Sequence, residues 1–282
     1  MSLFTPTGHL LPYPQFRQHL RDGADPNACF RAADLLDRTP LLLAVLQKAS
    51  DLDHLHALLA DKRTDVTIAD IQGRNALHLA CERGHEGVVR LLCHAGVAVN
   101  GSDIEGRRPI HYAMDPGVSA SQSVQVLRVL IEYGADINAR NKSGRTALHE
   151  AMFSGSSFWH KPVDEKVACL LKARCAVDIQ DKQGRTPMFL AAVTGHHRVV
   201  RALLATGANP ELADREGYRP VDAVRRQIAE DSLGLDNHMG YFEDLSEVLD
   251  LLVSHTRARL TELVGAVVAR TSGQACALLR RM

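Results

Sequence analysis

An eight-residue phrase recurs six times along this chain, and a chain written that way is constrained to fold as a pile of like units. The copies are Asp37-Arg-Thr-Pro-Leu-Leu-Leu-Ala44, Gly73-Arg-Asn-Ala-Leu-His-Leu-Ala80, Gly106-Arg-Arg-Pro-Ile-His-Tyr-Ala113, Gly144-Arg-Thr-Ala-Leu-His-Glu-Ala151, Gly184-Arg-Thr-Pro-Met-Phe-Leu-Ala191 and Gly217-Tyr-Arg-Pro-Val-Asp-Ala-Val224. Their first residues stand at 37, 73, 106, 144, 184 and 217, so the spacings are 36, 33, 38, 40 and 33. A second phrase precedes most of them: Asp22-Gly-Ala-Asp-Pro-Asn27, Ala95-Gly-Val-Ala-Val-Asn100, Tyr133-Gly-Ala-Asp-Ile-Asn138 and Thr206-Gly-Ala-Asn-Pro210.

The chemistry of the phrase predicts a tight turn followed by a short helix. Glycine at its head admits a positive φ without a Cβ clash. Thr146 and Thr186 are expected to cap the helix, and Pro40, Pro109, Pro187 and Pro220 to occupy its first position, where a missing N–H costs nothing. A second helix follows, with apolar residues at helical spacing: Val88, Val89, Leu91 and Leu92; Val126, Leu127, Val129 and Leu130; Val199, Val200, Leu203 and Leu204. Gly96, Gly134 and Gly207 are placed to end it in the left-handed conformation. No such unit buries its apolar face alone, so stability must come from stacking.

These phrases resemble the ankyrin repeat, whose period is about 33 residues and whose signature is T-P-L-H-x-A. The resemblance runs from Gln15 to Val253. It implies an all-α solenoid of about six stacked helix-turn-helix repeats with short β-turn fingers and no substantial sheet. The expected organisation is an N-terminal segment and half-repeat cap at 1–27, then repeats within 28–256 (37–72, 73–105, 106–143, 144–183, 184–216 and 217–253). A C-terminal capping helix at 257–282 completes it. Asp115–Gln122, Gly155–Val163 and Asp231–Tyr241 lengthen the third, fourth and sixth repeats, and the second of these carries Phe158 and the single Trp, Trp159. Insertions of this kind are tolerated because closure entropy grows slowly with loop length.

The resemblance also implies a protein or peptide partner held on the concave side, made by finger tips and first helices. The x of H-x-A (Leu79, Tyr112, Glu150, Leu190) and the pair that closes the first helix (Glu82 and Arg83, Phe153 and Ser154, Val193 and Thr194) are expected there. Tyr112, Phe153 and Val193 are more apolar than solvent requires, which suggests a binding stripe. Beside it stand Arg74, Arg107, Arg145 and Arg185, with Lys142, Lys182 and Arg215 at the tips, diluted by Glu105, Glu150, Asp181 and Glu216. An extended ligand with acidic residues fits that set best. Trp159 is an equal candidate for a hot spot or for an anchor of its own loop.

Composition sets the exclusions. Lys+Arg and Asp+Glu both number 33, which gives no basic face for nucleic acid. No apolar run approaches the roughly 18 residues of a membrane span, and the first residues lack a secretory pattern. The cysteines Cys29, Cys81, Cys93, Cys169, Cys175 and Cys276 form no CxxC pair, so reduced thiols in the cytoplasm or nucleus are expected. Of the 14 histidines, His78, His111 and His149 hold the motif position, where the resemblance implies a buried ring bonded to backbone of the next finger. Leu42 and Phe189 replace it elsewhere. No metal-ligand spacing, phosphate loop or nucleophile elbow is present, so the expectation is no catalytic residue, no metal, no cofactor and a chain monomeric by itself. The alternatives are an adaptor that recruits a second protein through the C-terminal helix or the Trp159 loop, and an inhibitor that occludes an enzyme.

Overall fold

The computed structural model describes residues 2–5, 7–29, 39–47, 52–115, 117–153, 161–231 and 244–262, the side chains of 161–163, 230 and 231 excepted. Ser154, the Phe158–Trp159 loop, most of the sixth-repeat insertion and the tail from 263 onward lie outside the described residues. The chain divides into two compact units, Met1–Ala176 and Val177–Met282.

The first unit carries α1 (Tyr13–Arg21), α2 (Pro40–Leu46), α3 (Asp53–Ala60), α4 (Ala76–Glu82), α5 (Glu86–His94), α6 (Pro109–Tyr112), α7 (Ala120–Glu132), α8 (Ala147–Ala151) and α9 (Lys161–Lys172). The second carries α10 (Pro187–Val193), α11 (His197–Ala205), α12 (Pro220–Asp231) and α13, a helix over 244–262. Among the described residues, pairing of the β type is limited to the isolated bridges Phe4 to Leu10 and Ala69 to Asn75. The architecture is all-α, as the repeat implies.

Local chemistry explains each element. Pro40, Pro109, Pro187 and Pro220 open their helices as expected. Thr186 caps α10 by accepting the N–H of Phe189 at 3.1 Å, and Asn75 does the same for His78 at 3.1 Å. Thr146 forms a capping box at α8: its hydroxyl takes the backbone N–H of His149, while His149 Nδ1 accepts the Thr146 N–H at 3.1 Å and also lies 2.9 Å from the hydroxyl. The lengthened third repeat gives α7 a late start at Ala120, where Ser119 provides the cap.

Short first helices pack on one another, α2 on α4 and α4 on α6, while α5 packs on α7 and α7 on α9 in a second layer. Leu77, Leu92, Leu127, Leu130, Leu148 and Leu170 fill the space between. At the front, residues 2–5 and 7–11 fold back on one another, with the Leu11 N–H bonded to Leu3 O at 3.1 Å and Leu3, Phe4 and Leu10 buried. His54 on α3 holds this segment: its Nε2 lies 2.9 Å from Leu11 O and its ring edge meets Phe16 at 4.8 Å. At the back, α13 buries Leu245, Val248 and Leu252, whereas its residues 257–262 are exposed on every side. No described helix is long and apolar enough to cross a membrane.

Successive fingers touch through backbone. Ile104 donates its N–H to Gln72 O at 2.9 Å, Lys142 to Glu105 O at 2.8 Å, and in the second unit Arg215 to Gln183 O at 2.8 Å. Gly184 stands at this last contact with φ +79, and a Cβ there would lie 2.7 Å from Arg215 N. Gly207 has φ +87 with open space around it. Gly207→Ala is expected to cost only the left-handed penalty, about 1–2 kcal/mol. Gly184→Ala is expected to cost more, because backbone of the next finger must also move. Equal losses in paired urea melts would show that the finger contact yields freely.

Candidate functional site

Most of the described finger turns are organised by a carboxylate at the tip. Asp70 Oδ1 accepts the N–H groups of Gln72 (2.9 Å) and Arg74 (3.0 Å), which closes the turn, while Oδ2 takes the Arg74 guanidinium at 2.9 Å. Asp103 repeats the pattern with Glu105 and Arg107, both at 2.8 Å, and Arg107 Nε at 3.2 Å. In the second unit, Asp181 binds Gln183 N at 2.9 Å, Arg185 N at 3.0 Å and the Arg185 guanidinium at 2.8 Å. Burial would raise the Asp103 and Asp181 carboxyls, but the bonds they accept outweigh it and hold both below the usual carboxylate range.

Three rungs of the expected cationic ladder are therefore clasped by the chain's own carboxylates. Arg74 is buried and also reaches Glu82 Oε2 at 3.5 Å. Its charge, with those of Arg107 and Arg185, serves the finger first, so the expected match to an acidic ligand loses most of its support. The fourth rung is built differently. Asn141 replaces the aspartate: its Oδ1 still accepts from Ser143 (2.9 Å) and Arg145 (3.0 Å), but its amide donates to Glu150 Oε1 at 2.9 Å. The Arg145 guanidinium lies instead 4.2 Å over the ring centre of Phe153.

The apolar stripe is narrower than expected. Leu79 is 0% exposed, because α2 and α6 flank α4 on both sides, and Leu190 is likewise buried within its own unit. Tyr112 is buried too. Its hydroxyl donates to Asp103 Oδ2 at 2.6 Å and accepts from Arg107 at 2.8 Å, and burial together with that carboxylate pushes the phenol well up. These three side chains brace the repeats and present little to a partner. Phe153 remains 41% exposed. It borders a cavity of about 110 Å³ with Arg107, Met114, Asp115 and Glu150. Lys142 is exposed at its tip, Glu82 and Val193 are half-buried, and Trp159 lies outside the described residues.

Sequence reasoning missed two of the most exposed apolar residues among those described. Ile71 and Ile104 are 58% and 53% exposed and occupy adjacent finger tips. A signal existed: each follows the finger aspartate directly, a position filled by Lys142, Lys182 and Arg215 in later repeats. It also missed Lys166, which is 1% exposed and donates to Asp115 O at 3.0 Å and Met114 O at 3.4 Å. Burial draws this lysine down to about 8. It fastens the lengthened third-repeat loop to α9.

His78 and His111 behave as the resemblance implied. His78 Nδ1 accepts the Asn75 N–H at 3.1 Å, which leaves Nε2 to donate to Arg107 O of the next finger at 3.1 Å. His111 does the same with Arg108 N (3.0 Å), Ala139 O (3.1 Å) and Arg145 O (3.2 Å). Burial holds both rings neutral, drawing His78 down to about 4 and lowering His111. Among the described residues, no group of three or more His, Cys, Asp or Glu could hold a metal ion.

A folded ring with a depressed pKa binds fewer protons than its unfolded counterpart, so stability is fully present above about 6.5 and is lost as pH falls toward 4. For His78 the complete loss is on the order of 3 kcal/mol, at about 1.4 kcal/mol per unit. His78→Leu should flatten the stability-versus-pH curve in that window. An unchanged slope between pH 6.5 and 4 would remove His78 as its source.

Comparison with known proteins gives consistent likenesses. A family model described as ankyrin repeats in three copies matches residues 41–140 and 158–224. The chain is 35% identical over 190 residues (64% of its length) to mouse ankyrin repeat and SOCS box protein 16, of which the match covers 39%. It is 32% identical over 206 residues (70% of its length) to the chicken nuclear factor NF-kappa-B p105 subunit, covering 19% of that protein. To mouse ankyrin repeat domain-containing protein 63 it is 37% identical over 84 residues, 29% of this chain and 22% of the relative. The chain thus spans two fifths or less of these relatives.

Proposed function

This chain belongs to the ankyrin-repeat family, and from that premise we propose that it is a non-catalytic scaffold holding an extended or helical protein segment along its finger tips and inner side. Stacked repeats of this kind present long concave surfaces to protein partners. The observation that carries the reading is the company of exposed apolar side chains there: Ile71, Ile104 and Phe153, the last lying under Arg145. Solvent gives no reason to place isoleucine on two neighbouring turn tips, and apolar groups gathered on one surface mark contact sites.

In the unit Met1–Ala176, Arg107, Lys142, Arg145, Glu150 and Glu82 supply polar contacts around this apolar set. Within the other unit, Arg185 offers a polar contact of its own and Val193 an apolar one. Exposed ion pairs add little each, so affinity rests on the apolar anchors. The triple variant Ile71→Ser, Ile104→Ser, Phe153→Ser should keep its melting temperature, since none of the three is buried. Proteins captured from native lysate by the parent chain should fall by about tenfold or more, as for hot-spot removal. Capture at parental levels would overturn the site.

A second reading concerns the C-terminal helix. Residues 257–262 of α13 are exposed on every side while Leu260 stands 57% open, a poor arrangement for a cap and a good one for an arm that recruits another protein. Truncation after Thr256 separates the two roles. Retained cooperative melting with loss of a captured protein supports the arm, whereas unfolding of the remainder returns the segment to its role as a cap.

A further inference from the structure

The finger clasp is complete in three repeats and half-made in the last. In Asp70–Arg74, Asp103–Arg107 and Asp181–Arg185 the residue four places after the aspartate is the arginine that takes its outer oxygen. After Asp214 that position is Tyr218. Asp214 Oδ1 still closes the turn, accepting from Glu216 and Tyr218 at 3.0 Å each, but among the described residues the carboxylate has no cationic partner. The arginine four places on that closes the other clasps is absent from this one, and the nearby Arg226 lies over the Tyr218 ring and makes no ion pair with Asp214.

The space beside it has the right shape and lining. A cavity of about 210 Å³ opens between the fifth and sixth repeats, with Phe189, Val193 and Tyr218 among its apolar walls and Asp214, Glu216, Arg226 and Gln227 among its polar ones. Phe189 stands where other repeats carry histidine, so this wall is a hydrocarbon ring rather than an imidazole committed to backbone. Arg226 lies 5.5 Å from the Tyr218 ring centre. A planar cation stacks on aromatic faces and pairs in fork geometry with a carboxylate.

We propose that this cavity receives the side chain of an arginine from the bound polypeptide, whose guanidinium completes the clasp on Asp214 against the rings of Tyr218 and Phe189. The inference rests on the scaffold reading above and adds the chemistry of one contact: a basic residue, where the cationic ladder alone had pointed to an acidic ligand. Ion pairing to Asp214 supplies direction, and the aromatic walls favour arginine over the more strongly hydrated ammonium of lysine.

The probe is N-acetyl-arginine amide, titrated into the isotope-labelled full chain and followed through backbone amide resonances. Saturable shifts are expected at Val193, Gly217 and Tyr218, with the neutral citrulline derivative about fivefold weaker or more. Asp214→Asn should weaken the arginine response by about as much, since a charged partner becomes a neutral one. The turn itself should persist, because Asn141 closes the same turn in the fourth repeat. Tyr218→Arg should abolish the response while raising the melting temperature, by restoring the internal pair. The site is overturned by absent shifts, by an equal response to the citrulline or lysine derivative, or by arginine binding that survives Tyr218→Arg. A single amino-acid probe reads this cavity whether or not any protein is captured, so its failure is distinct from failure of the scaffold.

Discussion

A repeat of this chain has nowhere to put its apolar face except against the next one. Apart from α12, each first helix is one or two turns long, α6 only Pro109–Tyr112 and α8 only Ala147–Ala151, far below the length at which a helix persists in water alone. What holds such fragments is the layer of leucines beneath them and the backbone contacts between fingers. The buried imidazoles join these two systems. Each ring takes a proton-donating N–H from the start of its own helix and gives a hydrogen bond to a carbonyl of the following finger, so the turn, the helix start and the neighbouring repeat are fixed by one side chain.

The fold was legible because the phrase that builds each layer is short and local. Glycine, threonine, proline and histidine act within a few residues of where they stand, and the structure uses Pro40, Pro109, Pro187, Thr186, His78 and His111 as their chemistry predicts. The surface was less legible because exposure is set by neighbours. Leu79 and Leu190 occupy a position that faces outward on an isolated helix, yet adjoining helices cover them. Tyr112 looked like a binding aromatic and is instead pinned by Asp103 and Arg107. The front segment was unreadable for a similar reason, since Leu3, Phe4 and Leu10 are buried by a fold-back secured from His54, 43 residues away from Leu11.

The arginine ladder offers the clearest case of a signal that was present and misread. Aspartate four residues before arginine recurs at 70, 103 and 181, and that spacing across a tight turn returns the guanidinium to the carboxylate. The neutral balance of 33 basic and 33 acidic residues is consistent with cations placed for internal use. Departures from the pairing then carry the information. Asn141 releases Arg145 to lie on Phe153, and Tyr218 leaves Asp214 without its arginine.

Because these fingers are closed by an aspartate or asparagine and a glycine, the side chain at the very tip contributes nothing to closing them. Ile71, Ile104, Lys142, Lys182 and Arg215 occupy that one position in successive repeats, with entirely different chemistry and the same turn beneath. The chain can therefore rewrite what it recognises, one tip at a time, without renegotiating how it stands up.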